Sequence, residues 1–218
     1  MLEFPHDAHT HTTYSDGIGS PADNIAAAEN LGLKLLGITD HSHYLAVKTF
    51  NRYIKEIERW AEDSEIVVLA GVEGNITFNG VDVPDFMAKK LDYVIASVHE
   101  WVQTPEEYIE LVKLALLDEN VDIIGHFGAN FPYVGFPSEE SLREVLELAE
   151  ATGKAFEISS RYGVPELEFI RECVRRGIRL TFASDAHEPS DVGKVSWCEK
   201  AFKKAGGRKE DLLFESFL

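Results

Sequence analysis

Apolar residues in this chain fall in short continuous runs, and each run is followed by a longer stretch in which apolar positions recur every three or four residues. Continuous runs bounded by turn residues read as strands buried on both faces, and the longer spacing reads as amphipathic helix. On this pattern we expect strands over 4–9, 35–39, 66–72, 93–98, 122–125, 155–159 and 180–183. Helices are expected over 21–31, 48–62, 105–117, 139–152, 165–176 and 195–205. The segment TPEE at 104–107 supplies a capping threonine, a proline in the first turn and a glutamate three residues after the cap. Gly153 and Gly177 stand where a left-handed residue would end the preceding helix. The third crossover, NITFNGVDVPDFMAKKL at 75–91, has no helical stripe and is broken at Pro84, so it is expected to be a loop with a short helix at best. Strand–helix alternation with no repeat or linker predicts one α/β domain over 1–218. Seven units without a glycine-rich dinucleotide fingerprint favour a closed or nearly closed barrel over an open sheet.

Composition narrows the functional classes. With 44% apolar and 27% charged residues the chain has the make-up of a soluble globular protein. Its longest apolar run, IVVLAGV at 66–72, is far too short to cross a bilayer, and MLEFPHDAHT does not resemble a signal peptide. Cys173 and Cys198 lie far apart in helical patterns, so a reduced, cytoplasmic protein with no membrane partner is expected. A formal net charge of −17 repels polyanions and makes long nucleic acid an unfavourable partner. It does not exclude a small phosphorylated substrate, because bound cations reverse the field locally.

Polar groups recur at one place in every unit, the carboxyl end of the strand. His9 and His11 follow the first, Asp40 and His41 the second, Glu73 the third, His99 the fourth, His126 the fifth, Arg161 the sixth, and Asp185 and His187 the seventh. In a parallel barrel all these ends face the same way, so residues spread over most of the chain converge on one mouth. Imidazoles and carboxylates without thiolates suit Zn²⁺, Mn²⁺ or Fe²⁺. With Asp16 from the turn SDG, the set is His9, His11, Asp16, His41, Glu73, His99, His126, Asp185 and His187. At about three protein ligands per catalytic ion, such a set serves two or three ions. Each residue taken alone has a plainer explanation, as a surface pair, a turn or a satisfied core histidine. It is their joint placement that points to a metal centre. His6 and His43 lack clear strand-end positions and are left out of the metal set.

The motifs DAHTHTTYSDG, GITDHS, GVEGN, IASVH, IIGH and SDAH, in this order and spacing, resemble those of the PHP (polymerase and histidinol phosphatase) family over nearly the whole chain. The resemblance implies a distorted (β/α)₇ TIM-like barrel with a two- or three-metal centre that hydrolyses phosphoesters. It also implies a sharing of ligands: His9, His11, Glu73 and Asp185 on one ion, Glu73 bridging to a second held by His99 and His126, and Asp16, His41 and His187 on a third. Some members carry histidine at the position of Asp16, which bears on the identity and filling of the third site.

Water made acidic by the ions would attack phosphorus. Arg161 is the candidate phosphate clamp, its fork matching phosphate bidentately. Asp40 or His43 is the candidate proton donor to the leaving group, Asp40 having the alternative of orienting a ligand imidazole. The expected function is a phosphomonoesterase acting on a small phosphorylated metabolite or nucleotide. A phosphodiesterase trimming nucleic-acid ends is the alternative. A metal-dependent amidohydrolase is disfavoured by a bridging glutamate and the final D-x-H, and a non-catalytic scaffold by the complete donor set. The aromatic loops at 41–53 and 130–137 are the expected specificity elements.

Overall fold

The computed structural model describes residues 2–218. Its strands are β1 (His6–Asp7), β2 (Leu35–Ile38), β3 (Val67–Thr77), β4 (Gly80–Val81), β5 (Tyr93–Ser97), β6 (Ile123–Ile124), β7 (Ala155–Ser159) and β8 (Leu180–Ala183). The helices are α1 (Pro21–Leu31), α2 (Val47–Glu62), α3 (Asp85–Ala88), α4 (Pro105–Leu117), α5 (Phe131–Val134), α6 (Glu139–Thr152), α7 (Leu167–Arg176) and α8 (Ser196–Lys204). Seven strands pair in parallel in the order β1-β2-β3-β5-β6-β7-β8, with β4 added to β3 as a hairpin. The last strand returns to the first: the Ala8 amide donates to the Phe182 carbonyl at 2.9 Å, and the His11 amide to the Ala186 carbonyl at 2.8 Å. The expected distorted (β/α)₇ TIM-like barrel is therefore present, nearly closed and ringed by helices.

The seam between β1 and β8 is irregular. Pro5 has no amide to donate, and only His6 and Asp7 form a ladder with β2, so the strand is shorter than the 4–9 expected. Part of the closure uses a side chain instead, since the Phe182 amide donates to Nε2 of the buried His6 at 3.0 Å. Burial lowers the His6 pKa to about 4, so the ring is neutral at pH 7 and can accept there. Leaving His6 out of the metal set agrees with this role.

Local signals account for most boundaries. Ser20 accepts from the Asp23 amide while the Asp23 carboxylate accepts from the Ser20 amide, opening α1 with a reciprocal cap. Thr104 caps α4, and Gly153 and Gly177 end α6 and α7 with φ of 72°. Two further expectations are corrected. The helix expected over 165–176 starts at Leu167, because Glu166 is extended and occupies the N-cap position. The third crossover is not a plain loop: β3 runs on past Glu73, pairs with β5 as far as Asn75, and turns back through Thr77 and Gly80 into β4. Ile76 is buried in that extension, which gives it an apolar anchor. The short helix α3 follows.

Alternation along the strands sends every second side chain inward. At the amino end of the strands the interior is a small apolar cluster of Leu35, Tyr93, Ile95, Ile123 and Ala155, closed below by Phe214. The Tyr93 ring fills the middle, its hydroxyl donating to the Ala8 carbonyl at 2.6 Å. A Cβ at position 37 would sit 1.8 Å from that hydroxyl, so this site needs glycine. At the carboxyl end the inward residues become Thr39, Glu73, Ser97 and Glu157, all buried. The interior thus turns from apolar to polar along the barrel axis.

Candidate metal centre

All nine side chains expected to hold metal meet at the carboxyl-end opening, around Glu73. One oxygen of this buried carboxylate, Oε2, lies 3.4 Å from His9 Nε2, 3.5 Å from His11 Nε2 and 2.9 Å from His41 Nδ1. The other, Oε1, lies 3.4 Å from His99 Nε2 and 3.1 Å from His126 Nε2. Asp185 Oδ1 is 3.2 Å from His11 Nε2. Asp16 Oδ2 is 3.3 Å from His187 Nε2 and 3.6 Å from His41 Nε2. Three groups have donor atoms within 4.8 Å of one another: His9, His11 and Glu73; His41, Glu73 and His99; and His11, Asp16, His41 and His187. His41 belongs to two of them because its ring presents one nitrogen to Glu73 and the other to Asp16. Two donor residues, His126 and Asp185, hold left-handed backbones with φ of 23° and 53°, a strain that clusters at functional sites.

The donor chemistry fits bound cations. His9 Nδ1 donates to Glu157 Oε2 at 2.6 Å, which in the neutral ring leaves a lone pair on Nε2. That lone pair faces His11 Nε2 at 3.1 Å and Glu73 Oε2. The same logic holds at His99. The Asp82 carboxylate only accepts, so the Asn75 amide nitrogen points to it at 3.0 Å, and the Asn75 carbonyl oxygen accepts from His99 Nδ1 at 2.5 Å. With Nδ1 engaged in this way, the His99 ring turns its Nε2 toward Glu73 Oε1 at 3.4 Å. Opposed lone pairs are relieved by a proton or a cation between them.

Comparison with known proteins places the chain in a family. The PHP domain family model matches residues 7–161. The chain belongs to the PHP family. It is 33% identical over 226 residues to a probable phosphatase of Thermoanaerobacter sp. (strain X514), covering 96% of this chain and 89% of that one. It is 32% identical over 192 residues to the DNA polymerase/3′-5′ exonuclease PolX of Bacillus subtilis (strain 168), covering 83% of this chain and 34% of PolX. Among solved structures, a two-domain protein from Bacteroides vulgatus ATCC 8482, containing a predicted PHP-like metal-dependent phosphoesterase, aligns with a TM-score of 0.54 at 19% identity. That alignment covers 86% of this chain and 53% of the other. An amidohydrolase from Chromobacterium violaceum aligns with a TM-score of 0.50 at 18% identity over 87% and 90%. At these identities the structural likenesses speak for the barrel alone.

Within the PHP opening the electrostatics are those of buried carboxylates crowded by imidazoles. Burial alone would raise the Glu73 pKa, but His9 and the hydrogen bonds of His126 and His41 hold it well below the ordinary value. Asp185 is held at about 2 in the same way, burial being outweighed by the His11 hydrogen bond and the charge of His9. His9 moves the other way. Burial would lower its pKa, yet Glu157 and Glu73 raise it well above 6.5. A divalent cation would replace that proton.

The candidates for proton and phosphate work separate here. Asp40 is fully buried, and its oxygens accept from the Thr12 amide at 2.8 Å, the Thr12 hydroxyl at 2.7 Å and the Ser15 hydroxyl at 2.6 Å. It pins the loop that carries His11 and Asp16 and reaches the His11 ring through Ser15, whose hydroxyl oxygen lies 3.5 Å from His11 Nδ1, a placement for steadying a ligand ring and not for giving a proton to substrate. His43 stands at the opening and takes an Asn75 amide proton on Nδ1 at 3.1 Å, which puts its own proton on Nε2 in the neutral ring. Arg161 lies on the rim, its Nη1 donating to the Asp185 carbonyl at 3.1 Å and lying 3.2 Å from His187 Nδ1. Two important residues were not anticipated. Glu157 binds His9 and also accepts from the His126 amide at 3.3 Å, and Asn75 orients His99 and His43 together. The lone carboxylate inside the apolar run AFEIS was the available signal for Glu157.

Proposed function

We propose that this PHP protein is a phosphomonoesterase that hydrolyses small phosphorylated molecules at the carboxyl-end opening of its barrel. The arrangement of Glu73 carries the reading: each of its two oxygens faces a different set of imidazoles, as in a carboxylate shared between two ions. In this reading His9, His11, Glu73 and Asp185 hold one divalent ion, Glu73, His99 and His126 a second, and Asp16, His41 and His187 a third, with Zn²⁺, Mn²⁺ or Fe²⁺ as the suited metals. Bound ions would activate water at neutral pH and neutralise charge on the phosphoryl oxygens.

The remaining work falls to the protein. Glu157 keeps the His9 ring turned so that Nε2 faces Glu73. Asn75 does the same for His99 and leaves a proton on His43 Nε2 at the opening, where a departing alkoxide needs one. Arg161 sits beside Asp185 and His187, its Nη1 and Nε engaged with Asp185, which leaves Nη2 to donate to a phosphate. Purified protein supplied with Mn²⁺ or Zn²⁺ is expected to hydrolyse p-nitrophenyl phosphate. His9→Ala or Asp185→Ala should lower kcat/KM by roughly 10³-fold, and full activity in either variant would remove the mechanism.

The similarity to PolX favours a second reading, hydrolysis of phosphodiesters at nucleic-acid ends. The net charge of −17 opposes it. Release of nucleotides from a single-stranded oligonucleotide at a kcat/KM above that for monoesters would decide in its favour.

A further inference from the structure

Beside the metal opening lies a separate cavity of about 640 Å³, between α5, α6 and α7. We propose that it seats the alcohol portion of the substrate, and that this portion is an aromatic or alicyclic body that is neutral or cationic. The proposal rests on the phosphomonoesterase reading and specifies its substrate class.

The walls define the chemistry. Phe127, Phe131, Phe136, Leu142, Tyr162 and Phe169 line the space, and its size is in the range of pockets that enclose small ligands. Phe127 stacks on Phe169 at 4.5 Å and meets Phe131 edge-on at 5.5 Å, so the floor is a set of mutually packed rings. Phe136 is 61% exposed, an apolar ring left in water where a ligand would cover it. Phe131 and Phe136 belong to the aromatic loop over 130–137, which neither the metal centre nor the proton work uses.

The position defines the partner. Ser159 and Val164 hydrogen-bond to each other in both directions, at 2.8 and 3.2 Å, and clamp the turn 160–163 between them. Arg161 and Tyr162 share that turn. Arg161 reaches Asp185 and His187 on the metal side, while the Tyr162 ring packs against His126 with centroids 4.9 Å apart. Tyr162 lines both the metal opening and the cavity, so a single ring is their common wall. A substrate whose phosphoryl group lies beside Arg161 would bring its alcohol portion past the Tyr162 ring to reach the apolar chamber.

The rim charges disfavour a second anion. Four carboxylates and two arginines border the cavity. Glu168 pairs with Arg171, Glu172 with Arg175 and Arg176, and Arg143 with Glu140 and Glu147. Among the described residues Glu139 and Glu166 pair with no lysine or arginine, although both stand at helix N-termini, which also favour a carboxylate. The uncompensated charge is negative, against a bisphosphate or a carboxylate-bearing alcohol and in favour of an amine or an uncharged ring.

The test compares 2-phenylethyl phosphate with ethyl phosphate, whose alcohols are similar leaving groups. The metal-loaded wild type is expected to favour the phenyl ester by at least tenfold in kcat/KM, and to lose that preference when the ring carries a carboxylate. Leu142→Asp and, separately, the exposed-site change Phe136→Ser should bring the ratio toward one. The ratio is taken on one preparation, so it does not depend on the fraction folded. Titration of 2-phenylethanol into zinc-loaded protein, followed by NMR, gives a readout independent of turnover and should show weakened binding in both variants. A wild-type ratio near one, or a ratio unmoved by both variants, overturns the proposal. A protein that binds 2-phenylethanol but hydrolyses neither ester overturns the phosphomonoesterase reading beneath it.

Discussion

The two ends of the barrel are built from the same strands and do opposite things. At the amino end the inward side chains are Leu35, Tyr93, Ile95, Ile123 and Ala155, packed on Phe214, and what they contribute is burial. At the carboxyl end the inward side chains are Glu73, Ser97 and Glu157, joined by the imidazoles that follow the strands, and what they contribute is a set of donors that burial disfavours. Stability and chemistry are thus divided along one axis of this molecule. The apolar end supports a polar end that would otherwise be costly to keep.

Crossed substitutions test this division. The largest effect is expected from Ile123→Ala at the apolar end, which opens a cavity in a fully buried site and should cost about 2–5 kcal/mol in urea unfolding. The kcat of the folded fraction should be retained, and an equal loss of activity and stability would break the division. His6 at the seam comes next. Its pKa is about 4 in the folded protein against an ordinary value near 6.5. Between those values the unfolded chain binds a proton that the folded chain does not, so its contribution is whole above pH 6.5 and is lost as pH falls toward 4. The loss should reach about 3 kcal/mol. His6→Gln, which keeps an acceptor for the Phe182 amide, should lose correspondingly less stability between pH 7 and 4, and parallel curves would refute the assignment. Glu157→Gln is expected to have the smallest effect, lowering metal affinity or activity by roughly 10–100-fold with little change in the urea midpoint. A large fall in that midpoint would mean that Glu157 belongs to the supporting end after all.

How far this was legible in the sequence depended on what each signal encodes. Strand-end placement reports where a residue sits along the barrel axis, and it located the residues from His9 to His187 that surround Glu73. It does not report which way a side chain turns. Asp40 therefore looked like a proton donor, although its oxygens face Thr12 and Ser15. Glu157 was hidden because it lies within a strand, where an apolar neighbourhood reads as core. Asn75 was hidden because the extension of β3 needs a partner, β4, that local pattern does not reveal. The shortened β1 has a similar cause, since its bonds are divided between β2 and β8, and only the closed barrel shows the division.

That irregular closure reaches beyond the architecture. His11 and Asp185 come from opposite sides of the junction between the first and last strands, and their donor atoms stand 3.2 Å apart. A cation shared by them would clasp the chain like a buckle, closing a loop that contains most of its residues. Loops of that length are entropically costly to close, so ion release would loosen the junction as well as stop the chemistry. Chelation should therefore lower the melting temperature and bring hydrogen exchange first to the Ala8 and His11 amides.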